Sequence, residues 1–161
     1  MSNRVSFPVA VVALSLAFII SCIGLFKIGN QPEIVDSGHG YKVYRTDDFT
    51  ELTASAVNIY VISGKSDGLI RLEADPEIID EIRVENHHGI LSVNDKNNSA
   101  IKKGKDRARV IVKADDLDNV IAIAGAAIIF DRPVTADTYI VDGMITVDSA
   151  AVASAASGLH K

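Results

Sequence analysis

The sequence predicts an all-β domain, a β-solenoid or β-roll of short strands with one short helix, behind an N-terminal membrane-anchor helix. Three observations predict it. Val5 to Phe26 is an uncharged, mostly apolar run of 22 residues. From Phe49 onward, apolar and polar residues alternate in short segments, the period of half-buried strands. In the last third, a short apolar strand followed by Asp recurs at an offset of 17 residues.

The leader comes first. As a helix, Val5–Phe26 would span about 33 Å, close to one bilayer core. Arg4 and the free amine precede it, so the following domain is expected on the outer side of the cytoplasmic membrane. Ile19-Ile20-Ser21-Cys22 resembles the bacterial lipobox, and that resemblance implies lipidation of Cys22, the chain's single cysteine. An uncleaved anchor explains better why Ile23-Gly24-Leu25-Phe26 continues the apolar run. Both routes stay open at Cys22, with the anchor expected. The sequence then divides into a membrane anchor or lipoprotein signal at 1–28, a linker at 29–48 and a β domain at 49–161.

Composition excludes several classes. The chain has 161 residues with 16 basic and 21 acidic side chains. Arg4 and Lys27 are the leader's only charges, which leaves 14 basic against 21 acidic residues beyond it. Such an acidic domain is a poor nucleic-acid binder. A single cysteine excludes an intramolecular disulfide framework and a cysteine-based zinc site. Abundant Ala, Val, Ile and Asp favour strands and tight turns.

Within 29–48 one short strand is expected at Tyr41–Tyr44. "VNIYVI" places Val57, Ile59 and Val61 on one strand face, and "LIRLEA" answers it across a turn at Ser63–Gly68. In "ADPEIIDEI", Asp75 can cap a helix and Pro76 suits its first position. One or two helical turns near Pro76–Ile82 are expected, with Ile78, Ile79 and Ile82 inward. "IRVENHHGILSVND" reads as a hairpin with Asn86-His87-His88-Gly89 at its tip. "ARVIVKA" puts Ala108, Val110 and Val112 on one face. Aligning "IAGAAIIFD" with "IVDGMITVD" matches Ile123 to Ile140, Ile128 to Ile145, Phe130 to Val147 and Asp131 to Asp148. Such rungs stack their apolar residues, with Gly125, Ala126 and Gly143 at the corners.

The order of these elements is similar to a known family. "FTELTASAVNIYV", "SGKSDGLIRLEADPEIIDEIRVENHHGILSV" and "RVIVKADDLDNVIAIAGAAIIF" together resemble the head GIN domain of putative autotransporter adhesins, over about residues 45–150. The resemblance implies a right-handed stack of short strands in a bacterial envelope protein. Members of that family run on through further Gly/Ser-rich rungs, whereas "AAVASAASGLHK" reads as an incomplete one. An open edge there invites self-association.

No catalytic motif is present, and no enzyme activity, cofactor or metal is expected. "SGKS" lacks the upstream glycine of a phosphate loop and reads as a turn. His87 and His88 fit a solvated tip better than a metal site completed by His39 or Asp95. The aspartates of the last third lack the spacing of calcium-binding rolls and read as turn caps. Lys102, Lys103, Lys105, Arg107 and Arg109 form the one basic cluster, a candidate patch for an anionic surface set against an ordinary solvated edge. The expected function is a non-enzymatic, membrane-tethered envelope protein that binds an envelope polymer or protein, or itself. The alternative is a carbohydrate-active hydrolase using Asp131 and Asp148, because one rung spacing approaches that of a retaining carboxylate pair.

Overall fold

The computed structural model describes residues 31–98 and 107–157. Twelve strands and one helix follow in order: β1 Glu33–Gly38, β2 Tyr41–Arg45, β3 Glu51–Ser55, β4 Asn58–Ser63, β5 Leu69–Ala74, β6 Ile82–His87, β7 Ile90–Asp95, β8 Ala108–Ala114, β9 Asn119–Ile123, β10 Ala127–Phe130, β11 Asp137–Val141, β12 Met144–Val147 and α1 Ser149–Ser157. They build a seven-stranded sheet, β1-β2-β5-β8-β4-β10-β12, and a five-stranded sheet, β11-β9-β3-β7-β6.

The two sheets share a repeated unit. β3–β4, β9–β10 and β11–β12 are each a pair of strands joined by a tight corner, with one strand in each sheet. The units stack in parallel, β3 on β9 on β11 in one sheet and β4 on β10 on β12 in the other. β7 and β8 extend both stacks on the far side of β3 and β4. The spatial order is therefore not the order in the chain, because the first unit lies between the β7–β8 unit and β9–β10.

Period-2 patterning decides which side chains face inward. One row crosses the large sheet as Leu72, Val110, Ile59, Ile128 and Ile145. The next runs Tyr44, Ile70, Val112, Val61, Phe130 and Val147. The facing sheet presents smaller residues, Val84, Val93, Ala54 and Ala122. Ile59, Ile70, Leu72, Val110 and Ile128 are fully buried. Each such side chain contributes about 1.5–3 kcal/mol relative to leaving it in water.

The corners need unusual backbone. Ala56, Ala124 and Asp142 all lie in the left-handed region, at φ 59°, 53° and 55°. For a residue with a Cβ this conformation costs about 1–3 kcal/mol. The stack compensates by hydrogen-bonding one corner to the next: Ala56 N–H donates to the Ile123 carbonyl at 3.3 Å, and Ala124 N–H to the Val141 carbonyl at 3.2 Å. Gly143 sits so close that an added Cβ would lie 2.7 Å from the Ala122 carbonyl oxygen.

Three local expectations change. The segment near Pro76–Ile82 is a single turn, in which the Asp75 carbonyl accepts from Ile78 N–H at 2.9 Å and Ile79 N–H at 3.1 Å. β5 ends at Ala74 and β6 begins at Ile82, so the chain must re-extend before a helix can propagate. Ile78, Ile79 and Ile82 are nonetheless buried. The one helix among the described residues is instead α1, in the segment expected to be an incomplete rung. Alanine is the strongest helix former, and Asp148 caps the helix with its carboxylate on Ala151 N–H at 3.0 Å. The 17-residue alignment holds between β10 and β12, where Ile128 pairs with Ile145 and Phe130 with Val147. It slips by one between β9 and β11, where Ile123 pairs with Val141 rather than Ile140. The β9–β10 corner, Ala124 to Ala126, is one residue longer than Asp142-Gly143.

Other strands form where the alternation places them. The Tyr41–Tyr44 strand is β2, and β1 joins it as a hairpin on the edge of the large sheet. No helix among the described residues is long and apolar enough to cross a membrane, and the leader 1–28 falls outside those residues.

Gly143→Ala tests the corner geometry. The added methyl must push Ala122 backbone away, so stability should fall by about 1–3 kcal/mol. Chemical denaturation of the purified chain reads the change, and an unaltered midpoint would contradict the corner described here.

Candidate binding surface

Three surface features stand out. The first is a charged row on the outer face of the large sheet. Tyr41, Glu73 and Arg109 are cross-strand neighbours on β2, β5 and β8. Arg71 Nε donates to Glu73 at 2.8 Å and Arg109 Nε at 2.5 Å, while the Arg71 guanidinium lies 4.8 Å from the centre of the Tyr41 ring. Burial pushes the Glu73 carboxyl up, but the hydrogen bonds and charges of Arg71 and Arg109 outweigh it and hold the group below the ordinary glutamate value.

The second feature is a shallow apolar hollow beside that row. Val43, Ile62, Leu69 and Ile111 line it, with Arg71 and Lys113 at its rim. α1 covers the adjoining part of the same face, where Val152 packs with Ala127 and Ile129.

The third is the end of the stack. β11 and β12 are the terminal strands of the two sheets and lie at the same end. Tyr139, Ile140, Val141, Met144 and Val147 are all exposed there, from 49% at Val147 to 66% at Val141. Ile140 and Val147 continue rows that elsewhere are core, so among the described residues their exposure marks a sandwich core left open at one end. The opposite end differs. β1 carries Glu33 and Asp36 with an irregular register between Ile34 and Asp36, and β6 carries an Arg83–Glu85 ion pair at 3.3 Å. Charges and bulges of this kind discourage edge pairing.

The residues singled out by sequence fall as follows. Cys22, Lys102, Lys103 and Lys105 lie outside the described residues. Arg107 is paired with Asp75, and also approaches Glu77 at 3.6 Å. Arg109 is engaged by Glu73. Both guanidinium groups of the basic cluster are thus committed to carboxylates that sequence spacing did not connect with them. Asp131 accepts from both Ser63 N–H, at 3.0 Å, and the Ser63 hydroxyl. Burial raises the Asp131 carboxyl, yet the Ser63 hydrogen bonds, together with nearby Arg132, bring it below its ordinary range. Asp148 caps α1. The two acids considered for hydrolysis therefore serve as caps of the strand end and the helix start. His87 and His88 stack their rings at the hairpin tip, 4.1 Å apart, while Asp95 pairs with Ile82 at the hairpin's other end. Sequence alone does not mark Tyr139, Ile140 and Met144 as binding residues; their alternation reads as ordinary core, and only the sheet order shows that no described strand lies beyond them.

The fold agrees with known proteins. Residues 48–158 match the family model described as "Putative auto-transporter adhesin, head GIN domain". The chain belongs to this family. The family is described by adhesins, not by enzymes. No curated protein matches the chain. A solved "putative adhesin" from Bacteroides fragilis is similar at 16% identity and TM-score 0.50, over 67% of this chain and 51% of that one. A "putative adhesin" from Parabacteroides merdae has 18% identity and TM-score 0.46 over 58% of this chain and 39% of that one. A "putative lipid binding protein" from Parabacteroides distasonis has 13% identity and TM-score 0.49 over 74% and 53%. This chain thus spans from 39% to 53% of the length of these solved chains.

The charged row gives a pH dependence. Because the Glu73 carboxyl is lowered in the folded state, its ion pairs stabilise the fold above the ordinary value of about 4.3. That contribution is lost as pH falls through the lowered value. Glu73→Gln should be less stable than the parent chain near pH 7, and the gap should close as pH falls through the lowered Glu73 value. A gap that persists unchanged in acid would show that Glu73 acts through packing alone.

Proposed function

We propose that the chain is a non-enzymatic binding protein of the bacterial envelope, tethered by its leader, with the β domain outside the cytoplasmic membrane. Its role is adhesion or structural attachment, and the partner is an envelope polymer or protein. The observation that carries this reading is the family match together with an open, apolar end of the stack. Such an end is a place for a partner, and the acids a glycan hydrolase would need are engaged as caps instead. Family membership supports an envelope or surface setting.

The finer architecture belongs to the same proposal. The parallel units are read as turns of a β-solenoid, right-handed by the family resemblance. The leader is read as a retained anchor with Cys22 inside the bilayer helix. The basic cluster of Lys102, Lys103, Lys105, Arg107 and Arg109 is a secondary candidate for anionic headgroups. Its arginines would have to exchange Glu73 and Asp75 for an external anion, so any affinity rests mainly on the lysines.

Fractionation and labelling test the tether. In the bacterial host, Cys22→Ser should leave the chain in the membrane fraction at unchanged mass, and protease added outside spheroplasts should digest the β domain. A fatty-acid analogue that labels the parent chain but not Cys22→Ser would replace the anchor with a lipid. A soluble cytoplasmic chain that resists the protease would overturn the envelope reading altogether.

A further inference from the structure

The geometry points to a two-fold dimer of this chain, joined end to end through β11 and β12, that continues both sheets across the interface. The inference deepens the binding reading above by naming one partner, a second copy.

The argument begins with the backbone. Met144 N–H donates to the Ala126 carbonyl at 2.9 Å and Asp148 N–H to the Phe130 carbonyl at 2.8 Å. Alternate residues of a strand face the same neighbour, so the N–H and C=O groups of Ile145 and Val147 point away from β10. On β11, Asp137 N–H donates to the Asp118 carbonyl at 2.8 Å, and the Val141 carbonyl accepts from Ala124. Thr138 and Ile140 therefore aim their backbone groups outward. Each outward-facing residue also belongs to an inward-facing side-chain row, so backbone pairing and closure of the core would come from the same contact.

Protection is missing where it is found at the other end. "DTYIV" and "MITV" contain no Lys, Arg or Pro, and Asp137 is their single charge. Ile34 and Val35 are exposed on β1, but on a strand with an irregular register that carries Glu33 and Asp36. An interface between unlike ends would use the guarded edges and could propagate as a filament. An interface between two like ends uses only bare edges and closes as a dimer.

The end is also complementary to itself. Tyr139 and Thr146 lie equally far from the corner Asp142-Gly143, so their backbone positions correspond in the two sheets, with both side chains on the outer faces. One two-fold axis normal to the sheets can pass through both positions. It places Thr138 opposite the partner's Ile140 on one sheet and Ile145 opposite the partner's Val147 on the other. Each of these antiparallel pairs exchanges two hydrogen bonds. A lone foreign strand can satisfy only one edge, whereas a second copy offers both at the sandwich spacing of about 10 Å. α1 leaves the site clear, because it turns back over β10, β4 and β8.

Cysteine cross-linking in membranes holding the full chain tests this, in a Cys22→Ser background. Residues on the axis form non-hydrogen-bonded pairs with Cα atoms about 4.5 Å apart, within disulfide reach. Mild oxidation of Thr146→Cys, and separately of Tyr139→Cys, should convert most of the chain to a species of twice its mass. Asp36→Cys at the guarded end should stay single. Adding Val147→Lys to Thr146→Cys should cut the cross-linked fraction severalfold, and the half-exposed position lets the monomer keep its fold, checked by its unchanged melting. Failure of both axis cysteines, equal cross-linking of Asp36→Cys, or a product of another mass would overturn the dimer. Cross-linking without membrane association would instead sink the tether and leave the dimer standing.

Discussion

Parallel stacking of like strand pairs is the constraint on which the rest of this structure depends. No pair in the set can bury its own apolar side. β9–β10 becomes stable only because β3–β4 lies on one side and β11–β12 on the other. Stacking forces Ile59, Ile128 and Ile145 into one row. It also brings the left-handed corners at Ala56, Ala124 and Asp142 beside one another and leaves no room for a Cβ at Gly143. The left-handed corners are unfavourable in isolation and are held by the hydrogen bonds that link each corner to its neighbour. Among the described residues the stack ends at β11 and β12 on one side and at β1 and β6 on the other.

The sequence makes the strands legible and their order opaque. Val57, Ile59 and Val61 alternate because one face of the strand is core, and the hairpin tip at His88-Gly89 announces itself by residues that accept positive φ. Such signals are local. The placement of β4 between β8 and β10 is not local, since parallel neighbours far apart in the chain leave no pattern at either strand. The repeat was legible at Ile128 and Ile145 and misleading at Ile123, because a one-residue change in corner length shifts register without altering texture. Alanine-rich sequence after Asp148 fits both a rung and a helix, and the carboxylate cap decides for the helix. The site was half visible. Arg107 and Arg109 read as a basic cluster, while the Asp75 and Glu73 carboxylates that occupy them come from a strand and turn much earlier in the chain.

Charge and apolar surface are divided between the two ends in a way that suits a binding protein. On the outer face of the large sheet, acids and bases neutralise one another, and at the β1 and β6 edges charge discourages pairing. At β11 and β12 the surface is apolar, and the outward-facing backbone groups meet no strand among the described residues. The aspartates that resemble a catalytic pair instead fix the strand end and the helix start.

The central claim is the interleaved order of the stack, and interstrand nuclear Overhauser contacts test it most directly. With β4 between β8 and β10, contacts should connect Ile59 with Val110 on one side and with Ile128 on the other, and none should connect β8 with β10. Simple winding in chain order puts β8 next to β10. Contacts between Val110 and Ile128, with Ile59 touching only one of them, would contradict the account.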